Sequence, residues 1–327
     1  MTSICQDVFL EITKYLFYNR DVVLFLSVNK TSHGSKQKCN FVEYVKYNGA
    51  LEKLSYYNQL KTMYYYDEDN NDSCIPHVCL LEFCPDKPNI NNLGLPSSLR
   101  KIKFGFHFDS PLMPGILPAS LQVIEFGHNF NQPLIEGVLP DSLKEITFGS
   151  CFNQSLLPGM LPPFLEKITF GDYDNQTLVP GVFPSSLREI NFGGFFDQTL
   201  EPGILPSSLR KITFGYFFNE PLNPGVLPSS LQKITFGRGF NQPLLPGVFP
   251  SSLRKIKFGT CFNRPLVPGV LPESLQKLTL GMSFHQPLAL GILPSSLQKI
   301  ELFKRTRDVC EVPVTVELIY LDYAGCR

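Results

Sequence analysis

The sequence predicts a mostly β solenoid, a fold in which short repeated units stack along one axis. A proline recurs ten times at intervals of twenty-two residues, and apolar residues keep the same spacing around it without insertion or deletion. Such strict spacing is expected where each unit packs on the one before it, because an insertion would break every neighbouring position. The repeated prolines are Pro96, Pro118, Pro140, Pro162, Pro184, Pro206, Pro228, Pro250, Pro272 and Pro294.

Each unit contains one predicted strand. Leu99, Ile102 and Phe104 have the L-x-x-L-x-L spacing of leucine-rich repeats, and a period of twenty-two residues lies within the range of those repeats. Alternate side chains of a strand point to opposite faces, so Ile102 and Phe104 point inwards while Lys101 and Lys103 point outwards. Successive units are therefore predicted to form a leucine-rich-repeat-like solenoid with a parallel sheet on one face.

The segment between strands contains too much proline for a regular helix. Pro111, Pro114 and Pro118 lie within eight residues, and each lacks a backbone N–H and fixes its own φ. We expect extended backbone here, with Gly115 turning a corner. Asn or Asp also recurs at the same position in eight successive units, and we interpret it as a structural ladder that satisfies backbone groups at the bend. This ladder comprises Asp109, Asn131, Asn153, Asn175, Asp197, Asn219, Asn241 and Asn263, and is interrupted by His285.

The repeats are predicted to cover residues 96–303, with a cap at each end because an uncapped solenoid exposes its core. Residues 49–95 contain degenerate copies of the strand spacing and an acidic loop, which indicates capping turns. Residues 304–327 are predicted to be a C-terminal cap, in which the alternation from Val312 to Tyr323 favours a closing strand.

Residues 1–48 are predicted to form a small α-helical module. Val8, Ile12 and Leu16 fall on one face of a helix, because they are spaced by four residues. The polar residues 19–21 then predict a turn into a second apolar segment. The change from the repeat period to helical spacing separates this module from the solenoid.

The repeated unit resembles the FNIP repeat over residues 95–302, and the segment from Ile4 to Lys30 resembles an F-box. The Phe-Asn core of the FNIP repeat is present at 130–131, 152–153, 218–219, 240–241 and 262–263. The combination is similar to F-box/FNIP repeat proteins of giant viruses of amoebae and of social amoebae. If the chain is viral, the resemblance implies the cytoplasm of the host cell as its location.

In F-box proteins this module binds the Skp-type adaptor of a cullin ubiquitin ligase, while the rest of the chain captures the substrate. The resemblance implies that this chain is such a substrate-recognition subunit. The alternative is a non-catalytic interaction scaffold or decoy without coupling to a ligase, because Cys5 stands where the motif has proline. The implied adaptor-binding residues are Ile4, Cys5, Val8, Phe9, Ile12 and Leu16.

The outward strand positions are the predicted recognition surface, because packing does not dictate them. One of them is lysine in the last five repeats, and like charges on neighbouring strands repel. We predict that this stripe, with Lys257 beside it, binds an acidic or phosphorylated segment of a target protein. The alternative is that these lysines are solvated and keep the sheet soluble. Aromatic residues beyond the strands either anchor the target or pack along the rim. The predicted target-binding residues are Lys211, Lys233, Lys255, Lys257, Lys277, Lys299, Tyr216 and Phe217.

Composition and motifs argue against several other functions. The 29 basic and 29 acidic residues cancel, which disfavours nucleic acid or a membrane surface as partner. No phosphate-binding, metalloprotease or serine-hydrolase motif is present, so we expect neither catalysis nor a cofactor. No segment has the length of a bilayer span, and nine scattered cysteines favour a reducing cytoplasm. Cys74, His77, Cys79 and Cys84 lack the spacing of a zinc site, so we predict no metal there.

Overall fold

The computed structural model describes most of the chain from residue 95 onwards and short strands before it. The described residues are 27–29, 40–42, 46–47, 62–65, 80–83, 95, 97, 99–288, 291–303 and 316–321. Within them the regular secondary structure consists of sixteen β-strands. The predicted mostly β solenoid is confirmed, whereas the predicted N-terminal helix falls outside the described residues.

Fourteen of these strands form one parallel sheet in the order of the sequence, and two form a separate antiparallel pair. Sequential order is what a solenoid requires, because each turn adds one strand beside the previous one. The antiparallel pair is β1 (Ser27–Asn29) and β2 (Asn40–Val42). The parallel strands are β3 (Lys46–Tyr47), β4 (Thr62–Tyr65), β5 (Leu80–Phe83), β6 (Lys101–Lys103), β7 (Val123–Glu125), β8 (Glu145–Thr147), β9 (Lys167–Thr169), β10 (Glu189–Asn191), β11 (Lys211–Thr213), β12 (Lys233–Thr235), β13 (Lys255–Lys257), β14 (Lys277–Thr279), β15 (Lys299–Phe303) and β16 (Glu317–Leu321).

The register of the sheet follows the sequence period. From β6 to β15 each residue pairs with its equivalent in the next unit, as Ile102 does with Ile124. Before β6 the turns are shorter, and Met63 pairs with Leu81, which pairs with Ile102. β3 lies within the segment predicted to be helical and joins the same sheet. At the other end, β16 pairs with β15, so the sheet continues beyond the repeats in both directions.

Two stacks of phenylalanine rings run through the core. In the first unit Phe104 and Phe108 stack with their ring centroids 4.0 Å apart. Phe104 also stacks on Phe126 of the next unit at 5.5 Å, and Phe108 stacks on Phe130 at 5.8 Å. Each such pair contributes about 0.5–1.5 kcal/mol beyond the burial of its area. Stacking between units therefore supplies stability that no single unit can have.

Glycine is required at two positions of the unit for different reasons. A Cβ atom on Gly149 would lie 1.7 Å from the carbonyl oxygen of Gly127, so a side chain there would force the turns apart. Gly159 has open space around it but a φ of +88°, the left-handed region that other residues rarely adopt. The predicted corner at the equivalent Gly115 is confirmed by its φ of +83°.

The predicted polar ladder is also confirmed. The side-chain oxygen of each member accepts a hydrogen bond from the backbone N–H of the next, as Asp109 does from Asn131 at 2.9 Å. The series continues without a gap to Asn263, which accepts from the backbone of His285 at 2.9 Å. These side chains satisfy backbone donors at the bend, so their role in the fold is structural.

Candidate functional site

The outward positions of β6 to β15 form the exposed face of the sheet, where side chains from successive turns lie side by side. Ion pairs link neighbouring turns across this face. They join Lys101 to Glu125 (2.5 Å), Lys167 to Glu145 (3.7 Å), Lys211 to Glu189 (2.7 Å), Lys277 to Glu301 (2.5 Å) and Lys299 to Glu317 (3.6 Å). Most of the face is therefore electrostatically balanced from turn to turn.

The predicted stripe of five lysines does not carry five free charges. Lys211, Lys277 and Lys299 each have a carboxylate partner on an adjacent strand. Burial alone would raise the pKa of Glu189, but the hydrogen bonds from Lys211 and Asn191 and the charges of Lys211 and Lys167 together outweigh it and hold the pKa below its ordinary value. Because Glu189 stays ionised at neutral pH, it continues to neutralise Lys211.

Three exposed lysines remain, and we call them the lysine patch: Lys233, Lys255 and Lys257. Lys233 and Lys255 pair directly across β12 and β13, and Lys257 lies two residues further along β13. Within the described part of the chain, none of the three side chains has an ion pair or hydrogen bond. The uncompensated positive charge of this face is concentrated here.

Exposed aromatic side chains lie beyond the carboxyl ends of the strands. Tyr173, Phe195 and Phe217 occupy the same position in three successive units, and we call them the aromatic ladder. Their ring centroids are 5.3 Å and 4.7 Å apart, and each ring is about half exposed. Tyr216 packs edge-on against Phe217 at 4.7 Å and accepts a hydrogen bond from Nη1 of Arg238 at 2.5 Å.

The structure thus places two predicted target-binding residues, Tyr216 and Phe217, in a larger aromatic cluster. Sequence reasoning missed Tyr173 and Phe195, although the signal was present, since both lie at the position of Phe217 in earlier units. Phe106 belongs to a separate pair near the first repeat, where its ring stacks on His128 at 4.5 Å.

Several predicted positions fall outside the described residues, so they stay predictions. They are the adaptor-binding residues Ile4, Cys5, Val8, Phe9, Ile12 and Leu16, and the cluster Cys74, His77, Cys79 and Cys84. Elsewhere, no group of His, Cys, Asp and Glu in the described ranges is arranged to hold a metal ion. Those ranges also contain no helix that is long and apolar enough to cross a membrane.

The stacked parallel strands define a leucine-rich-repeat-like solenoid, a fold typical of non-enzymatic interaction scaffolds. The FNIP repeat matches eight segments that together cover residues 88–304. The chain therefore belongs to the FNIP repeat family.

The chain is also similar to solved structures of leucine-rich repeat proteins. The chain is similar to CroV588, described as a novel circular LRR protein, with 29% sequence identity and a TM-score of 0.67. The match covers 84% of this chain and 49% of CroV588, so the chain spans about half the length of that protein. A leucine-rich repeat protein from Bacteroides ovatus matches at 16% identity over 92% of this chain and 100% of its own, with a TM-score of 0.19. Comparison with the curated proteins finds no match.

Proposed function

We propose that this chain is a non-catalytic protein-interaction scaffold that binds an acidic or phosphorylated segment of a target protein at the lysine patch. The supporting observation is that, among the residues that the structure describes, Lys233, Lys255 and Lys257 have no counter-charge on a face where other lysines are paired. Like charges on neighbouring strands destabilise a sheet, and a bound carboxylate or phosphate group removes that repulsion.

The neighbouring aromatic cluster suits the same ligand. Arg238 follows Lys233 on one turn and holds Tyr216 beside Phe217. Tyrosine and arginine are enriched among the residues that dominate binding energy, and an exposed apolar cluster beside charge is typical of protein-binding surfaces. We infer that the target segment carries an apolar side chain for Phe217 next to its acidic residues.

The distribution of charge favours a short acidic segment over a nucleic acid. Glu125, Glu145, Glu189 and Glu301 lie on the same face as the lysine patch and flank it on both sides along the solenoid axis. A polyanion following the sheet would meet these carboxylates, whereas a few acidic residues fit within the patch.

Fluorescence anisotropy with the full chain tests the proposal. The probe is a labelled peptide of phosphoserine and glutamate residues, and the uncharged control is the same peptide with serine and glutamine. We expect the anionic probe alone to bind, and the triple variant Lys233→Glu, Lys255→Glu, Lys257→Glu to abolish binding. A matched variant, Lys144→Glu, Arg188→Glu, Arg210→Glu, reverses three exposed charges outside the face and should retain binding. Equal affinity of the two variants at physiological salt would refute the site.

A role in ubiquitin ligation is a finer proposal that rests on the resemblance of residues 4–30 to an F-box. In this reading the N-terminal segment binds a Skp-type adaptor and the solenoid presents the captured target. The test is co-precipitation of the full chain with that adaptor, compared with the double variant Phe9→Asp, Ile12→Asp. Loss of adaptor in the variant supports the role. If the natural chain does not co-precipitate the adaptor, the chain is a scaffold that is not coupled to a ligase.

A further inference from the structure

One turn of the solenoid departs from the otherwise regular core. Asp174, which follows β9, stands where the adjacent turns have Phe152 and Phe196, and its side chain is fully buried. In the adjacent turns that ring stacks on a second ring at 4.0 Å and 4.1 Å. In the turn of Asp174 the stack is interrupted. Phe170 is tilted by 24° against Phe148 at 6.0 Å, whereas the other successive rings of that stack lie 5.3–5.6 Å apart and within 12°.

The hydrogen bonds of this turn are also rearranged around the carboxyl group. Gln154 and Gln198 of the adjacent turns donate to the polar ladder, but Gln176 turns inwards. Its Nε2 donates to Oδ1 of Asp174 at 3.0 Å, and its Oε1 accepts from the backbone N–H of Leu156 at 2.7 Å. Among the described residues, Oδ2 of Asp174 has no hydrogen-bond partner. A buried carboxylate with one unsatisfied oxygen is costly, so the neutral acid is the favoured form in the closed turn.

The surroundings of Asp174 do not compensate a negative charge. Burial raises its pKa from 3.8 to about 7, even though the hydrogen bonds from Gln176 act to lower it. The other titratable side chains on this turn and the two adjacent turns are all at least partly exposed, and none contributes to the shift. They are Asp141, Lys144, Glu145, Cys151, Glu166, Lys167, Asp172, Tyr173, Arg188, Glu189, Asp197 and Glu201.

We propose that the turn of Asp174 is a proton-controlled joint in the solenoid. Between about pH 4 and pH 7 the carboxyl group keeps its proton while the turn is closed, and it releases the proton when the turn opens locally and the group meets water. In a solenoid each turn contacts only its neighbours, so a weak turn divides the stack into two blocks that open independently. The joint lies between the repeats before β9 and those from β10 onwards.

Opening of the joint also affects the exposed surface of the solenoid. Tyr173 precedes Asp174 directly and forms the first rung of the aromatic ladder, stacked on Phe195 at 5.3 Å. Its backbone N–H is bonded to the carbonyl oxygen of Ser150 on the preceding turn at 2.8 Å. Opening of this turn breaks both contacts. Ionisation of Asp174 in the core therefore alters the exposed aromatic cluster. This inference is independent of which ligand the lysine patch binds.

Hydrogen–deuterium exchange of the full chain at pH 5 and pH 8 tests the joint, with rates corrected for the intrinsic pH dependence of exchange. An open turn has an ordinary carboxyl pKa and a closed turn has a raised one. The opening constant is therefore expected to rise about a hundredfold over this range and to level off above about pH 7. The increase should be confined to peptides that cover residues 150–196. The variants Asp174→Asn, which keeps the shape without a titrating proton, and Asp174→Phe, which restores the ring, should show no such increase.

Two results would overturn the joint. One is an equal pH dependence of exchange in the natural chain and in Asp174→Asn, which would mean that another group titrates. The other is a loss of protection that is spread evenly over all turns, since a joint must open locally. Asp174→Phe provides a variant that is expected to fold at least as well as the natural chain, so misfolding cannot account for a negative result.

Discussion

Replacing Asp174 with phenylalanine is expected to stabilise the solenoid by about 4 kcal/mol at pH 7. The pKa of the buried carboxyl group is raised from 3.8 to about 7. Each pKa unit of difference between the folded and the unfolded chain corresponds to about 1.4 kcal/mol. A gain of this size is a large fraction of the stability of an ordinary domain.

The pH dependence has a definite sign. An acid whose pKa is higher in the folded chain makes folding take up a proton, so stability falls as the pH rises from about 4 to about 7 and is constant above that. The advantage of Asp174→Phe over the natural chain should therefore shrink to about 1.5 kcal/mol at pH 5. Asp174→Asn should show the same loss of pH dependence without the added ring.

Urea-induced unfolding of the three proteins at pH 5 and pH 8 measures both quantities. The gain of about 4 kcal/mol reflects only the electrostatic cost of the buried carboxyl group. The new ring should add to it, because it can stack between Phe152 and Phe196 in the interrupted column. If Asp174→Phe were no more stable than the natural chain at pH 8, or if its advantage were equal at both pH values, the assignment of a protonated buried carboxyl group would be wrong.

The geometry also predicts the effects of substitutions at Gly149, Gly159, Asn219 and Glu189. Gly149→Ala should lower the melting temperature far more than Gly159→Ala. The first substitution places a Cβ atom 1.7 Å from a backbone oxygen. The second has only to adopt a φ of +88°, which costs about 1–2 kcal/mol. Equal decreases in melting temperature would contradict this prediction. Asn219→Ala removes the acceptor of a 2.8 Å bond to the next rung of the ladder and should cost about 1–2 kcal/mol in denaturant unfolding, while Asn219→Asp keeps the acceptor and should cost little. Glu189→Gln releases Lys211 from its 2.7 Å ion pair and should increase the affinity of the anionic peptide in the anisotropy assay; unchanged affinity would show that Lys211 does not reach the ligand.

Much of the fold could be predicted because the repeat makes the register visible. Once residues twenty-two apart are assigned to adjacent strands, Ile102 must oppose Ile124 and the ring of Phe104 must stack on that of Phe126. The ladder that begins at Asp109 follows from the same periodicity, since a short polar side chain at every bend can reach the next backbone donor.

The candidate site was predicted less completely. The stripe of lysines could be read from the sequence, but the partner of Lys277 is Glu301, which lies diagonally across the face rather than directly opposite. The partner of Lys299 is Glu317, which lies outside the regular repeats. Charge balance on the sheet depends on such diagonal and irregular contacts. Comparison of the residues at one position of successive repeats does not reveal them.

The sequence by itself determined the architecture, because an unbroken period permits only one way of stacking and decides which side chains face the core. Only the tertiary structure decided which charged side chains remain without a counter-charge when the turns stack. Within the described residues it pairs Lys211 with Glu189, leaves Lys233 and Lys255 without a counter-charge, and buries Asp174 while turning Gln176 inwards. The physical reason is that backbone register depends on spacing, whereas the state of a charged group depends on the distance to its neighbours and on its access to water.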